Sequence, residues 1–376
     1  MKQIVFNILK VFGPTFGFGL AAAEFGDTFG IDTEFLKSYG WWSLYFFVLT
    51  SLLLGVIFAF YKDHKVKSVQ LALLQSSLGD SILISEREEK LSKEIVNIIN
   101  NNFAKGEYSE VVRFGAPMSR PLLLSGMLED RIIIGNKVAN ASGKIGQKGD
   151  RIRALIDDVG WTNALLNKPK EAIEFINQGI ILAKADGDSY MAAKGTRHKG
   201  GINQRYLGLF DEAEVNYKEA LDLAEQIEVI SKKDEMKGGI LYGMAGLYLL
   251  KNELEKALTV SKESQRIFER LKDPEREVKA YSQKGRIFLL MGKVNEAEEE
   301  FNTGYRKAKI LSRIDEIGYN LKGLGLIAFK RDLYDTAIQN LLEAEEIFIT
   351  LKLKKDLEEV QELLAVCKIK LNKNHE

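Results

Sequence analysis

The sequence predicts an all-α protein: a transmembrane helix or helical hairpin followed by an α-solenoid of repeated helix pairs. Three observations predict it. Residues 41 to 61, WWSLYFFVLTSLLLGVIFAFY, form a 21-residue run without a charge. From about residue 150 onward, one pattern of small residues recurs five times. Only 5 of 376 residues are proline, while Ala, Leu, Glu and Lys are abundant, a composition that favours helix.

The first element, residues 1–61, reads as a membrane anchor. At about 1.5 Å per residue a helix over 41–61 crosses a hydrocarbon core of roughly 30 Å. Trp41, Trp42 and Tyr45 would meet one headgroup layer, and Phe60 and Tyr61 the other. Lys62, Lys65 and Lys67 follow the span, whereas Glu24, Asp27, Asp32 and Glu34 precede it with the single Lys37. Lysine flanks the cytoplasmic end of a span, so the bulk of the chain is expected in the cytoplasm, at the plasma (inner) membrane. Residues 4–23 are apolar apart from Asn7 and Lys10 and contain Gly13, Pro14, Gly17 and Gly19. They fit a first transmembrane helix kinked near Pro14, with Lys10 reaching back to the interface. They also fit an interfacial helix followed by a glycine-rich loop, or a cleaved signal peptide ending at Ala21-Ala22-Ala23. The lipid bilayer is thus the expected partner of 41–61 and, on the hairpin reading, of 4–23.

Residues 62–84 read as a juxtamembrane stalk. A divergent helical region over 85–149 follows. Ser85 with Glu88 makes a capping box, EKLSKEIVNIINNNF a helix, and Lys105-Gly106-Glu107-Tyr108 a turn. Pro117 and Pro121 would end the next helix early, and helix is expected again over 122–147.

The repeats occupy 150–353. GWTNALLNKPKEAIEFINQG, GINQRYLGLFDEAEVNYKEA, AGLYLLKNELEKALTVSKES, GRIFLLMGKVNEAEEEFNTG and GLIAFKRDLYDTAIQNLLEA align without a gap. Each opens on a small residue (Gly160, Gly201, Ala245, Gly285, Gly325), and an alanine follows at Ala172, Ala213, Ala257, Ala297 and Ala337. A further small residue stands at Gly179, Ala220, Ser264, Gly304 and Ala344. Asn167, Gly208, Asn252, Gly292 and Asp332 sit where a turn would join two helices. Antiparallel helices approach closely only where side chains are small, and larger residues such as Ile176, Tyr217, Phe301 and Leu341 fill the gaps beside them. In this order of small, turn and alanine positions the segment resembles the tetratricopeptide repeat (TPR). The resemblance implies a TPR-like α-solenoid of helix pairs. The alanine spacings are 41, 44, 40 and 40 residues, against a usual period of about 34. Long-period arrays of this kind are similar to those of kinesin light chains and bacterial quorum-peptide receptors, a likeness in period only. Residues 354–376 read as a capping helix and tail that shield the last repeat.

Composition and motifs exclude several functions. Lys plus Arg and Asp plus Glu number 53 each, so no charge surplus calls for nucleic acid. The single Cys367 leaves no intramolecular disulfide or cysteine-rich metal site. His64, His198 and His375 are scattered without metal-ligand spacing, and no glycine loop is followed by Lys-Ser or Lys-Thr. Asp157 and Asp158 point about 100° apart on an α-helix, one toward the groove and one toward solvent, and form no converging pair. Glu298-Glu299-Glu300 reads as a solvated helix face. The expectation is a non-catalytic protein without cofactor or metal.

The remaining surface is the concave face made by the first helix of each repeat. Projected onto the sequence, it presents Asp157, Trp161, His198, Arg205, Tyr242, Lys279, Arg286, Tyr319 and Lys322. Such a face suits a protein or peptide partner with acidic side chains or a free carboxylate. The lysine and asparagine of the carboxylate-clamp members of the family are absent at the matching positions, Asp157 and Trp161. The expected function is a membrane-anchored scaffold or sensor that binds such a partner. Two alternatives stand beside it: an effector whose glycine-rich N-terminal hairpin oligomerises to permeabilise the membrane, and a membrane-tethered peptide receptor. Homo-oligomerisation is left open.

Overall fold

The computed structural model describes residues 86–351 and 353–374, which form helices joined by short turns. The expected membrane segments 4–23 and 41–61, the stalk and the Ser85 cap lie outside the described residues. Among the described residues, no helix is long and apolar enough to cross a membrane.

The divergent region is α1 (Glu86–Ala104), α2 (Tyr108–Gly115), α3 (Ser119–Leu124) and α4 (Leu128–Ile145). A 3-10 turn over Ala116–Met118 separates α2 from α3 at Pro117, as a residue lacking a backbone donor requires. The array begins with α5 (Lys148–Arg153), which runs through a π-helical stretch (Ala154–Trp161) into α6 (Thr162–Leu165) and pairs with α7 (Pro169–Asp186). In the second unit α8 (Ser189–Ile202) ends in another π stretch (Asn203–Leu207) and pairs with α9 (Phe210–Glu225). The remaining pairs are α10 (Ile230–Leu250) with α11 (Leu254–Leu271), α12 (Pro274–Leu290) with α13 (Val294–Ile310), and α14 (Ile314–Lys330) with α15 (Tyr334–Thr350). The last helix, α16 (Lys354–Asn374), packs on α15.

The five turn positions have left-handed backbone, with φ 58° at Asn167, 67° at Gly208, 58° at Asn252, 76° at Gly292 and 59° at Asp332. That conformation ends a helix and reverses the chain, and only glycine, with asparagine and aspartate next, adopts it at small cost. The five signature alanines are fully buried. A Cβ on Gly160 would lie 2.5 Å from Ile176, one on Gly285 2.8 Å from Phe301, and one on Gly325 2.7 Å from Leu341. These glycines admit the large side chains of the partner helix.

The long period resides in the helices. The linkers between units run from two residues, Gly187–Asp188, to four, Gln226–Val229. Asp188 and Asp273 cap α8 and α12 by accepting from Met191 N and Arg276 N, and Pro169 and Pro274 occupy first-turn positions where no donor is missed. First helices of successive units touch one another, whereas second helices mainly meet the first helices on either side. The first helices are therefore the inner layer, where a groove can form.

A buried polar cluster joins α4 to the array. Asp158, 2% exposed, receives Arg131 at 3.2 Å and Arg153 at 2.8 Å, with Ser119 on the same carboxylate. This corrects the reading that one of Asp157 and Asp158 faces solvent. The π stretch, with its wider turn, turns both inward, Asp158 toward α4 and Asp157 toward α8. Glu300 likewise departs from a solvated face, since it pairs with Lys284 at 2.8 Å and is only 16% exposed.

Candidate functional site

The first helices of four successive units line a cleft of about 220 Å³. Glycines of α8 and α10 leave the helix backbone bare along it. Gly201, Gly239 and Gly243 line it, with Tyr217 and Phe268 reaching in from the second helices. A Cβ on Gly243 would sit 2.9 Å from the Tyr217 ring, and one on Gly239 would overlap the Arg197 guanidinium. Arg197 is therefore laid against the bare backbone of α10.

Five of the nine predicted groove residues meet in this cleft: Trp161, His198, Arg205, Tyr242 and Lys279. The π stretches present two of them, Trp161 and Arg205. Wider helical turns re-aim side chains and recur at functional sites. Trp161 stacks on His198 with centroids 4.5 Å apart. Asp157 lies behind this stack, 2.6 Å from Lys194 Nζ and 3.5 Å from His198 Nε2. Burial alone would raise the Asp157 pKa, but His198 and Lys194 more than offset it and hold the carboxylate far below its usual range. Burial, together with the Arg197 charge, lowers His198 to about 4 against the pull of Asp157. The imidazole is neutral at pH 7, and its buried Nε2 faces Asp157 at a distance too long for a full hydrogen bond. Burial pushes the Tyr242 phenol up to about 12, so it remains a donor.

The other predicted residues stand apart from the cleft. Arg286 is exposed on α12 beyond its edge, although its charge still acts on Tyr242. Tyr319 donates to Asp356 at 3.3 Å, and Lys322 reaches Asp356 at 3.2 Å and also Glu359. These two side chains bind α16 instead of opening to a groove, a tertiary contact that spans 34 to 37 residues.

Arg197, Tyr217, Phe268 and Arg276 line the cleft and were not predicted. Their signal lay in the paired glycines Gly200-Gly201 and Gly238-Gly239, which mark where backbones are left bare. The gap-free alignment also slips by one here. Gly200, not Gly201, faces Tyr217 most closely, at 3.0 Å against 3.7 Å, because the π stretch inserts a residue before Gly208.

No protein-family model matches the chain, and no curated protein matches it. Solved structures do. A signal-transduction ATPase with numerous domains and a tetratricopeptide repeat sensor, from Pyrococcus horikoshii, superposes with TM-score 0.52 at 14% identity. The match covers 76% of this chain and 44% of that one, so the chain spans less than half of that protein's length. A Rap protein complexed with competence and sporulation factor matches at TM-score 0.48 and 14% identity, over 82% and 87% of the two chains. The apo quorum sensor NprR from B. thuringiensis matches at 0.40 and 13%, over 82% and 98%. At these identities the likeness is one of fold. The described residues form an all-α solenoid of the tetratricopeptide-repeat type.

Proposed function

We propose that the array is a non-catalytic recognition module whose inner face binds a protein or peptide partner. Residues 41–61 would tether it to the cytoplasmic face of the plasma (inner) membrane. The observation that supports the binding role is the convergence of cations and aromatic rings from four successive repeats on one open groove. Trp161 and Tyr242 offer flat apolar walls, and Arg205, Lys279 and Arg286 offer positive charge along one line of first helices. An acidic partner segment lying across those helices would meet all of them.

The test is affinity capture with the 376-residue chain in detergent, identified by mass spectrometry and repeated with Lys279→Glu and Arg286→Glu. A partner retained by the unmodified protein and lost on charge reversal is the expected result. A partner held equally by both proteins, or capture of copies of the chain alone whatever the groove charge, would overturn the reading. The tether is checked separately by fractionation. The protein should pellet with membranes and resist carbonate extraction, and release into the soluble fraction would remove the anchor.

A further inference from the structure

The centre of the groove is more than a patch of positive surface. Among the described residues, Arg197, Arg205 and Lys279 have no carboxylate within salt-bridge distance and no side-chain hydrogen bond, although all three line the cleft. Other cations on the same helices are matched: Lys194 with Asp157 at 2.6 Å, Arg276 with Glu235 at 2.7 Å, and Lys284 with Glu300 at 2.8 Å. Asp315 and Glu316 act on Lys279 only at longer range, since Asp315 is bonded to Arg313 and Glu316 accepts from Ser282.

Arg197 is the least expected of the three. It is part-buried, lies against Gly239 and faces the like charge of Arg276. Burial first and Arg276 second make its charged form less favourable than in water. An uncompensated buried charge is costly, and its usual remedy is a counter-charge. His198 lines the same cleft at 9% exposure, and its Nε2 faces Asp157 at 3.5 Å, so that carboxylate is turned to the imidazole and to Lys194 and away from the three cations. Two guanidinium forks and an ammonium supply donors around the recess, and no carboxylate of the protein's own lies within salt-bridge distance of them.

We propose that this recess is a dianion site that takes a phosphate monoester. Charge decides between the anions. A carboxylate brings one negative charge to three unmatched cations, whereas a phosphate monoester brings about −1.5 to −2 at pH 7 and three acceptor oxygens. Guanidinium forks match phosphate oxygens in pairs, and the lysine adds a point charge. Size agrees. The cleft of about 220 Å³ is smaller than the roughly 300–1,000 Å³ of sites for whole drug-sized ligands. It therefore holds the phosphoryl group and the carbons next to it, with Tyr242 and Trp161 as the apolar wall. The phosphate could be carried by a small metabolite or by a phosphorylated side chain of a partner. The site goes beyond the docking role, because it can fill whether or not an extended partner lies along the groove.

Isothermal titration of the 376-residue protein in detergent tests this, with phenyl phosphate, benzoate, a phosphoserine peptide and its unphosphorylated twin as probes. Phenyl phosphate should bind saturably, at least tenfold more tightly than benzoate, and weaken as salt rises. Arg197→Gln should reduce that affinity at least tenfold. Lys279→Gln, on another helix, should do likewise, so an Arg197 variant that fails to fold leaves the test intact. Tighter binding of the phosphopeptide than of phenyl phosphate assigns the source to a partner, and the reverse assigns it to a metabolite. No saturable phosphate binding, equal binding of benzoate, or affinity indifferent to both substitutions overturns the site. Probe binding without partner capture would sink the docking role alone; partner capture without probe binding would sink this site alone.

Discussion

The buried ionisable residues show most directly how local chemistry is held against its cost. Asp158 sits between Arg131 and Arg153, yet burial raises its pKa and lowers that of Arg131. Desolvation outweighs attraction on both sides, so the pair is poor evidence for net stabilisation. Breaking it is another matter, because Arg131, 3% exposed, would be left without a counter-charge. Asp158→Ala should therefore destabilise the protein by about 3–5 kcal/mol, read by chemical denaturation. His198 makes a separate prediction in pH. Its folded pKa, about 4, lies below the ordinary 6.5. Between those values the unfolded chain binds the extra proton, so stability falls as pH drops through that window and is flat above it. The loss should be on the order of 3 kcal/mol. Asp157, whose folded pKa is depressed below 3.8, contributes stability that is lost only at still lower pH. A His198→Phe variant keeps a ring against Trp161 and should lose the slope between pH 4 and 6.5. If thermal melts of the variant keep that slope, another group causes it.

The helix pair was the most legible element, because its demands fall on short-range residue types. A left-handed turn favours Gly, Asn or Asp, and Asn167, Gly208, Asn252, Gly292 and Asp332 supply it at one offset from each buried alanine. The π stretches were not legible. Nothing in ALIDDVGW or NQRYL breaks a helical pattern, and the extra residue in the turn is fixed by what packs around it. Gln204 accepts from Tyr217 at 2.7 Å, and Asp158 is drawn to Arg131. A site built partly on such stretches is hard to project, so the sequence puts Asp157 on the groove whereas it lies behind it. Arg197 is not legible in its own repeat because its role depends on Gly239, 42 positions further along the chain. The same contacts predict opposite outcomes for two glycine substitutions. Gly285→Ala places a Cβ 2.8 Å from the Phe301 ring and should cost about 1–3 kcal/mol by overpacking. Gly149→Ala, in α5 with open space around it, should stabilise by about 0.5–1 kcal/mol because alanine loses less backbone freedom in a helix. Paired melting curves that move in the same direction would contradict this account of the packing.

In the whole molecule, stability is handed from each repeat to the next, and the last repeat needs a substitute neighbour. α16 is that substitute. Val360, Leu364 and Cys367 are buried with Leu341, Ala344 and Phe348 of α15 in one apolar cluster, which also includes Leu321 of α14. Asp356 and Glu359 meanwhile occupy Lys322 and Tyr319. Neighbouring interfaces in a solenoid carry most of the stability, and an uncapped end exposes an apolar face. Ending the chain after Leu353 should therefore bare Phe348 and Leu341, lower the melting temperature and promote association. Hydrogen exchange should rise first in α15 and α14 and reach α8 only later. Lys322→Ala tests the other component of the cap. Its contacts are partly exposed, with 24% of the lysine side chain accessible, so its loss should cost no more than about 1 kcal/mol. A truncated chain that exchanges uniformly along its length would show a single cooperative unit. Fraying confined to the last repeats would show that the α8–α12 groove keeps its shape independently of the C-terminal end.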